Sequence, residues 1–167
     1  AVLEPGGPLR NLDPAAMDAL LRVNVLGVAL GARAYVRQLH QRDQHGILIN
    51  ISSGASRRAI QGWSMYCASK AAVRVYGEGL RAEYASKGVA INVICPGYID
   101  TPMTQKNHFP MPFLMTAQKC ARIMKRGLAK NAARIAFPWP MAALLWLIAA
   151  LPDRIAEALT SRLPAKE

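Results

Sequence analysis

Tyr66 and Lys70 are four positions apart in a segment with helical periodicity, so both side chains are predicted on one face of a helix. A free phenol has a pKa of about 10 and is a poor acid–base catalyst near neutral pH. A neighbouring ammonium group favours the phenolate and lowers that pKa. The pair therefore predicts a proton-transfer site, although solvated surface pairs have the same spacing.

Ser53 comes just after a β-branched apolar run, residues 47–51, which predicts a buried strand. In an open parallel sheet, ligands bind outside the carboxyl ends of the strands. A serine hydroxyl at that end can hydrogen-bond a substrate carbonyl oxygen while a tyrosine protonates it. The alternative is an ordinary turn residue, as we expect for neighbouring Ser52.

A second apolar run, residues 89–95, predicts another buried strand and ends at Pro96-Gly97. Gly97 lacks a side chain and would let a ligand approach the backbone closely. Main-chain groups of this loop and the Thr101 hydroxyl could then hold a carboxamide or a phosphate. An ordinary Pro-Gly turn is the alternative here.

Helical and strand patterns alternate along the chain. Asp13 before Pro14 is a good helix start, Ser64 can cap a second helix, and Thr116 can cap a later basic one. We predict helices over residues 13–39, 64–86, 117–130, 141–151 and 153–163, with strands over 47–51, 89–95 and 134–137. This order implies an α/β fold with a parallel sheet and right-handed crossovers. Three strands would leave one edge bare and apolar, as in half of a larger fold.

Three segments resemble the short-chain dehydrogenase/reductase family in order, spacing and placement: residues 47–53 (ILINISS), 66–72 (YCASKAA) and 92–97 (NVICPG). The resemblance extends from about Asn11 to Thr104 and fades beyond. It implies a three-layer Rossmann-like domain of which this chain is the C-terminal, catalytic half. The family's glycine-rich βαβ unit has no counterpart here, so we expect it to precede residue 1. Residues 1–167 would form one partial domain, with a helical extension over about residues 138–167.

The resemblance also implies a role for each matching side chain. Tyr66 would be the general acid/base, and Lys70 would lower its pKa and bind the nicotinamide ribose. Ser53 would orient the substrate oxygen, and Asn24 would hold a water in the proton relay from Lys70. A satisfied polar residue inside a helix is the alternative for Asn24. The implied cofactor-binding residues are Tyr66, Lys70, Pro96, Gly97, Ile99 and Thr101.

These roles imply an enzyme that transfers hydride between NAD or NADP and a small-molecule alcohol or ketone. The two cofactors are not distinguished, because the residues that choose between them precede Asn24 in the family. We expect the intact protein to be active and this chain alone to be inactive. The alternative is an inactive fragment or a cofactor-free binding module, with a peripheral position on a membrane.

The formal charge of +11 could indicate a nucleic-acid partner, but its distribution argues against one. Residues 1–101 hold 11 basic and 7 acidic side chains, and residues 102–167 hold 10 and 3, without a basic block. Cys67, Cys95 and Cys120 have no paired spacing. We therefore expect neither disulfides nor a metal site, and a cytoplasmic setting.

The C-terminal third departs from the family pattern. Its apolar stretch, residues 141–151, is shorter than the roughly 20 residues that span a bilayer. With this stretch the chain resembles family members that have apolar C-terminal extensions, which act on bulky or lipid-like substrates. The connection over residues 103–115 would be a substrate lid. This stretch could instead rest on an anionic membrane together with a basic flank: Lys119, Arg122, Lys125, Arg126, Lys130 and Arg134. Association through the helices over 13–39 and 64–86 would suit the family, so we expect a homo-oligomer.

Overall fold

A computed structural model describes residues 9–59, 61–102, 104–107 and 109–160 of the protein. Within these residues, helices and strands follow one another in the order expected for an α/β fold. The helices are α1 (Pro14–Leu21), α2 (Gly27–Gln41), α3 (Ser64–Glu83), α4 (Ala117–Ala129), α5 (Trp139–Ala150) and α6 (Asp153–Thr160). The strands are β1 (Gly46–Ile51), β2 (Val89–Pro96), β3 (Ile99–Asp100), β4 (Met115–Thr116) and β5 (Arg134–Phe137).

α1 and α2 form one continuous 28-residue helix, because a π-helical segment, Arg22–Leu26, joins them. The predicted start is confirmed, since the Asp13 carboxylate accepts hydrogen bonds from two backbone N–H groups of the first turn at 3.1 and 3.3 Å. By length and composition alone this helix could also cross a membrane. Here it packs against α3 with Leu20 fully buried, although only 17% of its apolar window is buried among the described residues.

The main sheet is parallel with strand order β1-β2-β5. Its register pairs Ile51 with Ile94 and Cys95 with Ala136. These three strands lie where the sequence predicts them. β3 and β4 form a second, two-residue parallel pair that the sequence does not predict, because strands this short carry no periodic pattern.

Helices cover both faces of the main sheet, so the predicted three-layer architecture is confirmed. α2 and α3 pack on one face, where Leu39 meets Val89 and Ile91. α4 packs on the opposite face, around Ile94 and Ile135. Successive residues of a strand point to opposite faces, which is why Ile91 and Ile94 belong to different clusters.

The face of β1 on the α4 side is bare within the described residues. Ile47, Ile49 and Ile51 are 54%, 39% and 44% exposed, although each is a large apolar side chain. β1 is also an edge strand, since β2 is its only partner in the part of the sheet that the structure describes. The expectation of an apolar, unprotected edge is therefore confirmed.

The ends of α3 differ from the prediction. Ser64 is its first residue, and the N-cap is Trp63, whose side chain makes no capping hydrogen bond, so the predicted serine cap is wrong. The helix ends at Glu83 rather than at about Ser86. Thr116, by contrast, caps α4 as predicted, and its hydroxyl accepts a backbone N–H at 3.3 Å.

The C-terminal segment forms two helices, as predicted. α5 packs against β5 and the turn after β1, and α6 contacts α5. Six large apolar side chains of these helices are exposed: Trp139, Leu144, Trp146, Leu147, Ile155 and Leu159. Residues 161–167, which include the predicted end of the last helix, lie outside the described residues. That this segment is an extension of the domain stays a prediction.

Arg134 lies apart from the other cations of the basic flank predicted beside the apolar C-terminal stretch. Arg134 lies on β5, in register with Val93, and its guanidinium forms an ion pair with Glu78 of α3. α4 packs on the opposite face of the sheet. Including Arg134 in the flank was therefore wrong, because nearness in sequence does not determine the face to which a strand residue points.

Candidate active site

The first turns of α3 bring Tyr66 and Lys70 onto one helix face, as their spacing predicts. Lys70 Nζ lies 5.8 Å from the centroid of the Tyr66 ring. Tyr66 is half-buried, whereas Lys70 is only 5% exposed. A buried ammonium group is costly unless its N–H groups are satisfied, so its hydrogen-bond partners determine where it lies.

Lys70 is held against the carboxyl end of β1. Its Nζ donates a hydrogen bond to Ile51 O at 3.2 Å. One residue further along, the buried Ser52 donates from Oγ to Lys70 O at 2.7 Å. The two hydrogen bonds fix this point of α3 to the strand end, at the sheet edge where ligands bind in parallel α/β folds. Ser52, expected to be a plain turn residue, is thus part of the anchor.

Ser53 follows this anchor at the tip of β1. Its Oγ accepts a hydrogen bond from Ala55 N at 3.2 Å and caps a short 3-10 turn, Gly54–Ser56. The turn role given above as the alternative is therefore present. An accepting hydroxyl still has its own proton to donate, so the capping bond does not prevent contact with a substrate oxygen.

Asn24 lies in the π-helical segment and is 4% exposed. Its Nδ2 donates to Ser69 Oγ at 3.3 Å, and Ser69 Oγ donates in turn to Tyr66 O at 2.8 Å. These bonds connect the long helix to the turn that carries Tyr66 and Lys70. The structure thus brings Asn24 into the same network as the helical pair, while Ser53 is linked to that network through β1.

An aromatic cluster that the sequence analysis missed borders Tyr66. Trp63 is 7% exposed and meets Tyr66 edge-to-face, with ring centroids 6.0 Å apart. Phe109 contacts Trp63 at 6.2 Å and Tyr98 at 6.1 Å, also edge-to-face. Burial, followed by the nearby Cys67, raises the pKa of Tyr98, so its phenol stays protonated at neutral pH. The sequence offers no signal for this cluster beyond aromatic residues in three separate segments.

Gly97 serves the packing of the C-terminal segment. A Cβ there would lie 2.1 Å from Met141 Cε and 2.9 Å from Pro138 Cδ. Gly97 N also donates to Phe137 O at 2.7 Å, which extends the pairing of β2 with β5. α5 and the residue before it therefore fill the Cβ side of Gly97, and the expectation that a ligand approaches its backbone stays a prediction.

Ile99 and Thr101 lie on β3 and in the turn after it. Thr104 Oγ1 donates to Ile99 O at 2.5 Å and accepts from Thr101 N at 3.0 Å. Thr104, which the sequence analysis did not single out, therefore shapes this loop. The cofactor contacts assigned to Pro96, Gly97, Ile99 and Thr101 stay predictions.

The connection between β3 and β4, predicted to be a substrate lid, is only partly described. It contains a 3-10 turn, Thr104–Lys106, and Phe109 of the aromatic cluster. Met103 and His108 lie outside the described residues. Across the described part of the chain, no group of three or more His, Cys, Asp or Glu side chains could hold a metal ion.

The sequence profile of the short chain dehydrogenase family matches residues 1–110, which contain the site. The chain belongs to the short-chain dehydrogenase/reductase family. It is 33% identical over 154 residues to an uncharacterized oxidoreductase of Myxococcus xanthus, in a match that covers 92% of the chain and 60% of the relative. The chain thus spans about three fifths of that relative's length.

Solved structures of the family have the same fold. A short chain dehydrogenase from Burkholderia cenocepacia in complex with NADP superposes with a TM-score of 0.82 at 28% identity, covering 96% of this chain and 67% of that one. A 4-hydroxyisoleucine dehydrogenase mutant complexed with NADH and succinate gives a TM-score of 0.73 at 18% identity, covering 82% and 63%. The nicotinamide cofactors expected from the resemblance are those that these proteins bind.

Proposed function

We propose that this chain carries the proton-transfer site of an NAD(P)-dependent oxidoreductase that interconverts an alcohol and a ketone. The proposal depends on one observation, the pair at the start of α3. The Lys70 ammonium lies 5.8 Å from the Tyr66 ring centroid and is anchored to the backbone oxygen of Ile51. Membership of the family supports the same class of reaction.

Tyr66 would exchange a proton with the substrate oxygen. The positive charge of Lys70 stabilises the phenolate relative to the phenol and so favours proton transfer near neutral pH. Ser53 would donate a hydrogen bond to the same substrate oxygen and stabilise the negative charge that develops on it. Asn24 would hold the water of the proton relay, and its bond to Ser69 would keep the catalytic turn in place.

The groups at the strand ends suit a nicotinamide nucleotide. Lys70 offers ammonium donors for ribose hydroxyls, and the backbone of the loop after β2 offers N–H and C=O groups for a carboxamide. Pro96, Gly97, Ile99 and Thr101 belong to that loop. When bound, the nicotinamide would supply or accept the hydride. Relatives bind NADP or NADH, so we propose NAD(P) without a preference between them.

The substrate we propose is bulky and apolar, or lipid-like. Trp63, Tyr98 and Phe109 form an aromatic wall beside the catalytic phenol. Apolar pockets with a few convergent polar groups are typical of sites for such small molecules. The proposed site therefore combines two polar side chains, Tyr66 and Ser53, with an apolar wall.

The experiment is a tyrosine substitution in the protein expressed from its complete gene. Tyr66→Phe should lower turnover about 10²–10⁴-fold, the range for loss of a general acid/base, while the dissociation constant for NADPH or NADH changes little. Lys70→Ala should damage both turnover and cofactor binding. Tyr76→Phe, a half-buried tyrosine of the same helix, is the matched control and should keep full turnover. Near-normal turnover of Tyr66→Phe would contradict the proposed role.

A second candidate is peripheral attachment to a membrane, on the cytoplasmic side. It is favoured by the exposed apolar side chains of α5, among them Trp139 at 77% and Trp146 at 57% exposure. Exposed cations of α4 would attract anionic lipid headgroups. Sedimentation with phosphatidylserine vesicles tests this: Trp146→Ser should reduce binding, and absence of binding by the unaltered protein would exclude the attachment.

A further inference from the structure

A cavity lies between the loop that joins β1 to α3 and the last described helix, α6. It has a volume of about 420 Å³. Its polar wall combines two guanidinium groups, a side-chain amide and two hydroxyls with one carboxylate: Arg57, Arg58, Gln61, Ser64, Thr160 and Glu157. Five of these six side chains are hydrogen-bond donors, which is the composition expected of an anion site.

Arg57 has no compensating partner among the described residues. No hydrogen bond or ion pair involves its half-buried side chain there, whereas Arg58 lies 3.7 Å from the exposed carboxylate of Asp153. Burial, then the charges of Arg134 and Arg74, lowers the pKa of Arg57. An anion in the cavity would offset this repulsion among three cations.

Glu78, a carboxylate whose charge acts on Arg57, already binds two other arginines. Arg74 Nη1 donates to both its oxygens, at 3.3 and 3.1 Å, and Arg134 Nη2 donates to Oε1. Two guanidinium groups therefore bind a single carboxylate, and Arg57 adds a third cation whose charge acts on both. Arg57 also lines the cavity.

The amino end of α3 contributes to the same cavity. Ser64 is the first residue of this 20-residue helix, and the N-cap, Trp63, supplies no capping side chain. Free backbone N–H groups at a helix start carry partial positive charge and bind oxyanions. The partial positive charge at the start of α3 therefore adds to the attraction that Arg57 exerts.

We propose that this cavity binds a tetrahedral oxyanion, either inorganic phosphate or the phosphoryl group of a small metabolite. Arg57 is its main ligand, with Arg58 and Ser64 as further donors. Glu157, which also lines the cavity, repels the anion and limits its affinity. The proposed ligands do not include Ser53, Tyr66 or Lys70, so the proposal does not require the proposed hydride-transfer function to be correct.

Calorimetric titration with inorganic phosphate tests the proposal. It is performed at constant ionic strength, with saturating NADPH, on the protein expressed from its complete gene. Arg57→Gln should weaken binding at least tenfold, a change of about 1.4 kcal/mol. Arg154→Gln is the matched control, because Arg154 is exposed on α6 and does not line the cavity.

Glu157→Gln makes the test independent of folding defects. Removing the repelling carboxylate should tighten phosphate binding, which a damaged fold cannot do. Tighter binding of phenyl phosphate than of inorganic phosphate would identify a phosphoryl metabolite as the ligand, and the reverse order would identify free phosphate. The proposal is overturned if the unaltered protein shows no saturable binding, if NADPH abolishes it, or if Arg57→Gln and Arg154→Gln weaken it equally.

Discussion

Asn24 donates a hydrogen bond from Nδ2 to Ser69 Oγ, 3.3 Å away and 45 positions later in the chain. Both side chains are buried, and Ser69 Oγ in turn donates a hydrogen bond to the backbone oxygen of Tyr66. The π-helical segment that holds Asn24 is therefore coupled to the helical turn that carries the proposed acid/base. Inside the protein, where water cannot compete, such a bond contributes about 0.5–1.5 kcal/mol.

A double-mutant cycle measures this coupling. We expect Asn24→Ala and Ser69→Ala each to lower the free energy of unfolding by about 1–3 kcal/mol, because each leaves a buried polar group without its partner. The double variant should lose about 1 kcal/mol less than the sum of the two. Chemical denaturation followed by circular dichroism gives the three differences.

Asn92 provides the matched control for this cycle. It is also a buried asparagine, but it bonds to Ala132 O and Asn131 Oδ1 beside β5. Asn24→Ala combined with Asn92→Ala should be additive within about 0.5 kcal/mol, as expected for residues that share no partner. Equal coupling in both cycles would show that the Asn24–Ser69 bond has no specific role.

The position of Asn24 could be predicted from the sequence, but the π-helical segment around it could not. Helical periodicity indicates a helix, and a π-helical insertion changes that pattern too little to be seen. Gly97 shows a different limit. Its neighbour in space, Met141, is 44 positions away, so only the folded chain reveals that packing against α5 leaves no room for a side chain there.

Strand positions and the Tyr66–Lys70 pair were predictable because their signals are local. β-branched runs mark β1 and β2, and four residues make one helical turn. The cluster of Trp63, Tyr98 and Phe109 depends on contacts between distant segments, which no local pattern encodes.

Two glycines of α3 should respond oppositely to substitution by alanine. A Cβ on Gly77 would lie 2.6 Å from Val93 Cγ2 and 2.9 Å from Asn50 Nδ2, so Gly77→Ala should destabilise the protein by about 1–3 kcal/mol. Gly79 is exposed, with no atom within 4 Å of a Cβ, so Gly79→Ala should stabilise it by about 0.5–1 kcal/mol. Thermal unfolding of both variants checks the signs. Stabilisation by Gly77→Ala would contradict the close approach of α3 to the sheet.

The exposed apolar side chains of the long helix predict self-association. Leu26 and Leu30 of this helix are 49% and 54% exposed, and Val75 of α3 is 56% exposed. Burying such side chains against a second copy would gain about 25 cal/mol per Å² of apolar area. Light scattering should give an oligomeric mass for the unaltered protein and a smaller one for Leu30→Glu. Arg33→Glu, an exposed charged position of the same helix, is the comparison, and an equal loss of mass there would argue for a general charge effect.

Glu78 should make stability depend on pH. Burial would raise its pKa, but the hydrogen bond and charge of Arg134, and then those of Arg74, outweigh burial and hold the pKa below its ordinary value of 4.5. A carboxyl with a depressed pKa contributes stability above its ordinary pKa, and the contribution is lost as the pH falls through the folded-state value. Glu78 therefore stabilises the fold at neutral pH and ceases to do so in acid.

Glu78→Gln tests this sign. The side chains of Glu78 and Arg134 are about one third exposed, so solvent screens the pair, and we expect a loss of about 1–2 kcal/mol at neutral pH, between the values for surface and buried pairs. Denaturation measured from pH 7 downward should show the difference from the unaltered protein shrinking as Glu78 becomes protonated. Glu83→Gln, exposed on the same helix, should stay close to the unaltered protein throughout. A Glu78→Gln difference that persists unchanged in acid would assign its cause to packing, not to the carboxylate charge.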